Sequence, residues 1–475
     1  MKSNKKTWID ERLQLDFLRE KILYKPLSED IGWWCTLGAV CLFLLILQVA
    51  TGLVLALNYV PVIDRAFSSV EYIQNEMSFG WLIRGMHFWG SNMMLVAVFV
   101  HMMRVYFHAG YKKPNELTWV AGVFLIIFTA AMALTGYILP WSDISYWAAT
   151  ILSRCFDYIP VFGSLIANIL GGKDPGGIAI GRYAVLHMLV IPAMFAGFTI
   201  IHIILIQIHG EKGPPPKEGK ETGTRPFYPD QLSKDVVVVL IAFVMLIILA
   251  RFAGVPKEKA AAPLAEINSV PKPEWFILFG YELLKMFKGK WIILAITAVP
   301  ISGFLLLLFL PFYDRNPERA YAKRPIAMAT GVSALLVLIY LTLVAHVSSP
   351  IPGRYFAPDR PLKIKELAGM ALFEKNVCSS CHSITGIGMK NAPDLWKVGT
   401  KRDKEYLIKL LKDPDSVLGK GKMVKYYMDD IDLEALADYL RSLDFMHYHS
   451  KMIEPSEFRN AYKKYRSDFQ GAIQE

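Results

Sequence analysis

Five cysteines in 475 residues are few, and odd in number, so no disulfide framework is expected to hold this chain together. Equally absent is a strip of basic residues interleaved with aromatics, so the formal charge of +10 implies no nucleic-acid partner. The charged stretch from Met1 to Asp30 is not followed by a short apolar region with a small-residue cleavage site. A full-length apolar run follows instead, and the N-terminus is expected to stay on the chain. What the chain has in quantity is apolar sequence. With 53% hydrophobic residues and runs of spanning length, it is too apolar for an ordinary soluble protein.

Seven spans are predicted: Trp33 to Leu57, Trp81 to Phe107, Leu117 to Leu139, Tyr183 to Ile208, Val236 to Phe252, Trp291 to Phe312 and Ile326 to His346. Basic residues set the orientation. Lys2, Lys5, Lys6, Arg12, Arg19, Lys21 and Lys25 precede the first span, and the even-numbered loops continue the bias with Lys112, Lys113, Lys212, Lys217, Lys220, Arg225, Arg315, Arg319, Lys323 and Arg324. These mark the negative, cytoplasm-like side of the membrane. Seven crossings then carry the C-terminus to the positive side.

Four histidines in these apolar segments carry the chemistry. His101 follows His87 by fourteen residues, and at about 100° per residue it returns to within roughly 40° of the same face, about 21 Å further along the axis. His202 follows His187 by fifteen. One span separates the two pairs, so the two histidine helices run in the same direction and like levels face each other. His87 with His187, and His101 with His202, would each ligate one haem iron, and the two haems together would cross most of a core about 30 Å thick. Single intramembrane histidines are often polar contacts between helices; four in register describe an electron wire.

After Pro350 the sequence becomes mixed and charged. Cys378, Cys381 and His382 form CSSCH, a c-type haem attachment signature, with a zinc half-site as the plainer reading of so short a motif. The sixth ligand to that iron is expected from a methionine. Met423 is favoured because it shortly precedes the amphipathic stretch Leu433 to Leu443, with Met428 and Met389 as alternatives and core filling as the plain role of each.

Together these features resemble the cytochrome b subunit of quinol-oxidising bc complexes, specifically the cytochrome b6 and subunit IV arrangement of b6f-type complexes. WIDERL, FGWLIRGMH, YKKPNELTWVAG, LTGYILPWSDISYWA and PEWF carry the resemblance, which covers about Trp8 to His346. It implies an all-α membrane protein: seven spans, four of them forming a dihaem bundle, followed by a small all-α cytochrome c domain. The corresponding boundaries are an amphipathic N-terminal segment 1–30, a b6-like domain 31–210, a linker 211–233, a subunit IV-like three-helix domain 234–348, a cytochrome c domain 349–445 and a tail 446–475.

The resemblance also assigns roles. Gly38, Gly52, Gly122 and Gly136 repeat the fourteen-residue interval, as expected if they let flat macrocycles approach the backbone, although small residues also serve close helix packing. Arg84 and Arg182 are placed to pair haem propionates, or else to reach the interface. Cys35 falls where b6f-type proteins bind an extra haem through one thioether, whereas by chemistry alone it is a small buried hydrophobe. Glu274 of PEWF would accept a quinol proton, with Tyr146 and Trp147 lining the same pocket. Gln207 and His209 stand where relatives tend to carry a basic residue, a departure at the negative-side quinone site. The implied partners are membrane quinone, a separate Rieske iron-sulfur protein, since the chain lacks that ligand set, a soluble or membrane cytochrome acceptor, and a second copy in a homodimer. Lys390, Lys397, Lys420, Lys422 and Lys425 are positioned to steer an acidic acceptor, or are plain solvated charge. A dihaem anchor that wires a dehydrogenase to quinone without bifurcation is the competing function; PEWF counts against it.

Overall fold

The structure is a computed structural model that describes residues 8, 12, 20, 23–157, 159, 162–171, 177–215, 223–258, 260, 272–287, 291–348, 362–376, 378, 382–384, 387–388, 392–423, 425, 427–443 and 455–472. The chain divides into two compact units, 1–260 with 273–346, and 261–272 with 347–475.

In the first unit, six helices among the described residues are long and apolar enough to cross a membrane: Trp33–Ala56, Gly80–Phe107, Glu116–Ile138, Ile178–His209, Phe227–Ala253 and Pro325–Val347. They are termed here the first to fifth spans and the last span. Large apolar side chains on them face outward: Leu53 is 65%, Phe252 81% and Ile326 82% exposed. Such a surface is costly in water and costs nothing against hydrocarbon.

The sixth expected span, Trp291 to Phe312, takes a different form. Its apolar core is the shorter helix Leu294–Leu308, and a separate turn, Leu310–Tyr313, follows. The break has a local cause. Pro311 has no N–H to give the Leu307 carbonyl one turn back, and the indole N–H of Trp119, in the third span, donates to that carbonyl instead at 2.6 Å.

The first span packs along the second, the third along the fourth, and the second against the third. Midway along the bundle lies an apolar core of Val40, Leu44, Met94, Ala97, Phe128, Phe195, Ala242 and Leu246, drawn from the first five spans. Phe198 packs between Phe124 and Phe128 in a tilted and an edge-on contact, with ring centroids at 5.0 and 5.3 Å. This layer separates the two histidine levels. Beyond the bundle, Pro26–Ser28 pairs antiparallel with Thr224–Pro226, tying the N-terminal segment to the end of the linker.

A buried polar network fastens the loop between the second and third spans to the segment before the last span. Tyr111 donates to Asp314, Lys112 lies 3.2 Å from the same carboxylate, and Arg324 donates to the Tyr111 hydroxyl at 2.6 Å. Burial alone would raise the Asp314 carboxyl. The Tyr111 and Lys112 hydrogen bonds, with the charges of Lys112 and Arg324, outweigh it and hold the group below the usual carboxylate range.

The second unit is helical. Ile364–Lys375 crosses Asp430–Ser442 closely enough that Gly369 abuts the Ala435 carbonyl, an approach any Cβ would block. Asp403 and Asp429 cap their helices by accepting backbone N–H bonds from Tyr406 and Asp432 at 2.8 and 2.9 Å. Part of the segment expected to be a tail is an 18-residue helix, Pro455–Ala472, packed on Ile364–Lys375. It inserts Phe458, fully buried, into the core, while the Tyr462 hydroxyl donates to Asp432 at 3.1 Å and Arg466 lies 2.5 Å from Asp429.

Candidate haem and quinone sites

Both histidine pairs project from the second and fourth spans, and the fourth carries a local irregularity that reconciles their unequal spacing. Leu186–Val190 is a π-helical turn containing His187. Pro192 follows it and has no N–H to give the Met188 carbonyl. A π-turn absorbs one extra residue, so fifteen residues here span what fourteen span in the regular second helix.

The His87 and His187 ring centroids lie 6.3 Å apart. Two imidazoles on opposite faces of one metal, each bonded at about 2 Å with its centroid about 1.1 Å behind the ligating nitrogen, are separated by about 6.2 Å. The second coordination layer agrees. His87 Nδ1 lies 2.9 Å from Thr51 Oγ1, and His187 Nδ1 lies 3.1 Å from Thr135 Oγ1. Each threonine hydroxyl gives its own proton to the carbonyl one turn back, Leu47 and Ala131, both at 2.7 Å. Only lone pairs are left for the imidazoles, so each Nδ1 carries the hydrogen and each Nε2 stays free for iron. His202 Nδ1 meets the Thr118 carbonyl at 2.9 Å, which fixes the same tautomer.

The four glycines meet those imidazoles. A Cβ at Gly136 would lie 2.6 Å from His187 Cε1, at Gly52 3.2 Å from His87 Cε1, at Gly122 3.4 Å from His202 Cε1 and at Gly38 3.7 Å from His101 Cε1. Gly136 and Gly52 therefore make room for a ring edge, while Gly122 and Gly38 lie at ordinary contact distance from theirs. Sequence reasoning missed Thr51 and Thr135, although the repeated Thr-Gly dipeptide at Thr51–Gly52 and Thr135–Gly136 was a usable signal.

At the other level, His101 and His202 border a cavity of about 380 Å³ together with Gly38, Gly122, Cys35 and Arg104. Cys35 is buried, and its sulfur accepts a hydrogen bond from Arg104. Arg104, also missed from sequence, lies one helical turn beyond His101 and is 3.3 Å from Glu211. The arginines expected to meet propionates have other partners here: Arg84 donates to Gln74 at 2.8 Å, and Arg182 to the Asn168 carbonyl.

Near the His87/His187 level, Glu274 precedes the turn Trp275–Ile277, and the Trp275 indole donates to Asn92 of the second span at 2.6 Å. Burial, followed by the nearby charge of Glu258, raises the Glu274 carboxyl above its ordinary value. Tyr146 is buried between Trp141 and Trp147, with ring centroids at 5.9 and 5.7 Å.

In the second unit, the His382 N–H donates to the Cys378 carbonyl at 3.1 Å, and His382 Nδ1 meets the Pro393 carbonyl at 2.8 Å, leaving Nε2 available to iron. Cys378, Met423 and Met428 all pack on the unit's core, and Asn376 donates to Met428 Sδ at 3.5 Å. Cys381, Met389 and Lys390 lie outside the described residues. Of the other lysines, Lys397 sits over the Trp396 ring and Lys425 lies 3.9 Å from Asp413.

Three stretches of the chain match models of known families. Residues 22–210 match the family model Cytochrome b/b6/petB, residues 260–355 Cytochrome b(C-terminal)/b6/petD, and residues 367–444 Cytochrome c. The chain is 41% identical over 208 residues to cytochrome b6 of Desmonostoc sp., covering 44% of this chain and 97% of that protein. It is 33% identical over 345 residues to the cytochrome bc complex cytochrome b subunit of Chlorobaculum thiosulfatiphilum, covering 70% and 79% respectively. The chain belongs to the cytochrome b family. This cytochrome b is a multi-pass membrane protein with its b6-like and C-terminal parts in one chain and a cytochrome c domain fused behind them; the families imply haem b and haem c as its cofactors. A cytochrome b/c1 of Bradyrhizobium diazoefficiens is 33% identical over 369 residues, 75% of this chain; the chain spans about half, 52%, of that relative. Among solved structures, a chain of a hyperthermophilic respiratory Complex III superposes with a TM-score of 0.65 at 27% identity, covering 72% of this cytochrome b and 91% of that chain.

Proposed function

We propose that this cytochrome b is the b and c subunit of a Rieske-dependent quinol:acceptor oxidoreductase that couples electron transfer to proton translocation. The observation that carries the reading is the His87/His187 pair, held at one-iron separation with both Nδ1 atoms committed to threonine acceptors. Haem, when bound, supplies one-electron redox chemistry at each pair and at CSSCH. His87 with His187 and His101 with His202 would each hold one haem b, on either side of the phenylalanine layer. His382 and Met423 would ligate a haem c, with Cys378 and Cys381 supplying its thioethers. Gly38, Gly52, Gly122 and Gly136 face the ligating rings, and Arg84 and Arg182 would pair haem propionates.

Quinol is oxidised on the positive side, beside the Glu274 turn and Tyr146. One electron leaves through a Rieske protein towards the CSSCH centre and on to a cytochrome acceptor. The other would cross by way of the haems that the two histidine pairs would hold, to reduce quinone on the negative side. Oxidation releases protons on one side and reduction takes them up on the other. A homodimer is the expected assembly.

Glu274 removes a quinol proton only when ionised. Because its carboxyl is raised by burial and by Glu258, quinol oxidation is expected to climb with pH through a range above that of an ordinary carboxylate. Glu274→Gln should slow the reaction by about 100-fold or more while every haem spectrum stays intact; an unchanged rate removes Glu274 from the mechanism. Cys35 is assigned a thioether to a further haem. On denaturing gels stained for haem, Cys35→Ser should lose a band component beyond that lost with Cys378 and Cys381. If the stain follows only the CSSCH pair, Cys35 is structural.

A further inference from the structure

Three residues on one face of the second span, Gly85, Trp89 and Asn92, meet the two ends of the connection between the fifth span and the turn that follows Glu274. Gly85 lies against the π-helical turn Leu249–Ala253 that ends the fifth span, so closely that a Cβ there would come within 2.7 Å of Ala250 Cβ. Gly254 follows that turn at a positive φ of 65°, which favours glycine, and its carbonyl accepts the Trp89 indole N–H at 2.7 Å. At the far end of the connection, Trp275 gives its indole N–H to Asn92 Oδ1 at 2.6 Å. Positions 85, 89 and 92 follow the i, i+4, i+7 pattern of a single helix face. His87 sits about 200° round the helix from Gly85. One helix thus carries the iron ligand on one side and grips both ends of the connection on the other.

The Asn92 amide is oriented to accept. Its Nδ2 donates to the Phe88 carbonyl one turn back at 2.9 Å, which turns Oδ1 towards Trp275. An asparagine on a spanning helix is costly unless its polar atoms are paired, and here each end of the amide has a partner. Trp275 is 42% exposed, so packing alone does not lock its ring. Its backbone N–H donates to the Glu274 carboxylate, so holding the indole also holds the carboxylate.

We propose that Asn92 is a positioning residue for Glu274: through the Trp275 indole it fixes the carboxylate against the helix that carries His87, while Trp89 secures the other end of the connection. The proposal rests on the reading that Glu274 accepts a quinol proton. No bond to substrate forms or breaks at Asn92, which acts only on where the acceptor stands. Misplacing a reacting group by about 1 Å can cost about 100-fold in rate. Titratable groups within electrostatic reach of Glu274 are Glu258, in the connection, and Tyr137, at the end of the third span; Glu258 in turn faces Arg84 of the second span. Burial and Glu258 hold the Glu274 carboxyl above its ordinary value, so a turn released into water lets it fall back.

The test is steady-state quinol oxidation by the purified complex across pH, with haem spectra recorded for every variant. Asn92→Leu is close in size but cannot accept a hydrogen bond, and Trp275→Phe keeps an aromatic ring but loses the N–H. Each should slow kcat about 10–100-fold, move the rise of rate with pH to lower pH and leave the haem spectra unchanged. Because both remove the same bond, the double variant should be no slower than the slower single one. If Asn92→Leu loses haem or does not assemble, Trp275→Phe decides by the same two readouts. A wild-type rate in the single variants, a slowed rate with an unshifted pH profile, or losses that multiply in the double variant each overturn the role of Asn92. Glu274→Gln separates the two readings. A wild-type rate there removes the proton-acceptor reading and this inference with it, whereas a slow Glu274→Gln beside a wild-type Asn92→Leu removes this inference alone.

Discussion

His187→Ala is expected to abolish the bis-imidazole signature of the His87/His187 pair and to stop quinol oxidation almost completely. Outer partners of metal-bound histidines are worth about 10–100-fold in metal affinity or activity, and the ligand itself is worth more. The effect should be graded. Thr135→Val keeps the imidazole but removes its 3.1 Å acceptor, leaving the Met132 carbonyl to orient the ring. That variant should bind the group about 10–100-fold more weakly. Titrating haem into apoprotein of the two variants measures both. Equal affinity in Thr135→Val and wild type would show that the threonine hydroxyl does not orient the ligand.

The second large effect is at Gly136. A methyl group there would lie 2.6 Å from His187 Cε1, closer than packed carbons tolerate, and Gly136→Ala should displace the ring. Overpacking of this kind costs about 1–3 kcal/mol, which here falls directly on iron ligation. The remaining glycines form an ordered series. Gly52, at 3.2 Å, requires its neighbour to shift; Gly122, at 3.4 Å, is near contact distance; Gly38, at 3.7 Å, accommodates a methyl. Haem b occupancy in the four alanine variants should therefore rise from Gly136 through Gly52 and Gly122 to Gly38. A flat series would mean that the glycines serve helix packing generally rather than the histidine rings.

Much of this arrangement was legible in the chain itself. Helical periodicity and apolar length placed the histidine levels because both depend only on the 3.6-residue turn and on solvent preference. The glycine interval was legible too, but not its meaning in detail: the atoms those glycines face belong to imidazoles, a relation between helices that one-dimensional spacing does not carry. The fifteen-residue step looked like an approximation to fourteen. The π-turn at Leu186–Val190 makes it an equivalent, and Pro192 was the only local sign of it.

Other features depended on contacts distant in sequence. The break after Leu308 arises from Pro311, which hydropathy alone does not register, and the Leu307 carbonyl it frees is met by Trp119 from 188 residues away. Arg104 and Glu211 lie 107 positions apart and read separately as an interfacial base and a loop acid. Only the fold brings them together beside Cys35. Pro455–Ala472 is strongly charged, so its polar composition hid the Phe458 that anchors it.

The account stands on two irons held between paired imidazoles within the bundle. Low-temperature paramagnetic resonance of the oxidised, purified chain, combined with a pyridine haemochrome count of b against c, tests that most directly. The account predicts two distinct low-spin bis-imidazole signals and two haems b per chain. High-spin iron at either level, or fewer than two haems b per chain, would contradict it.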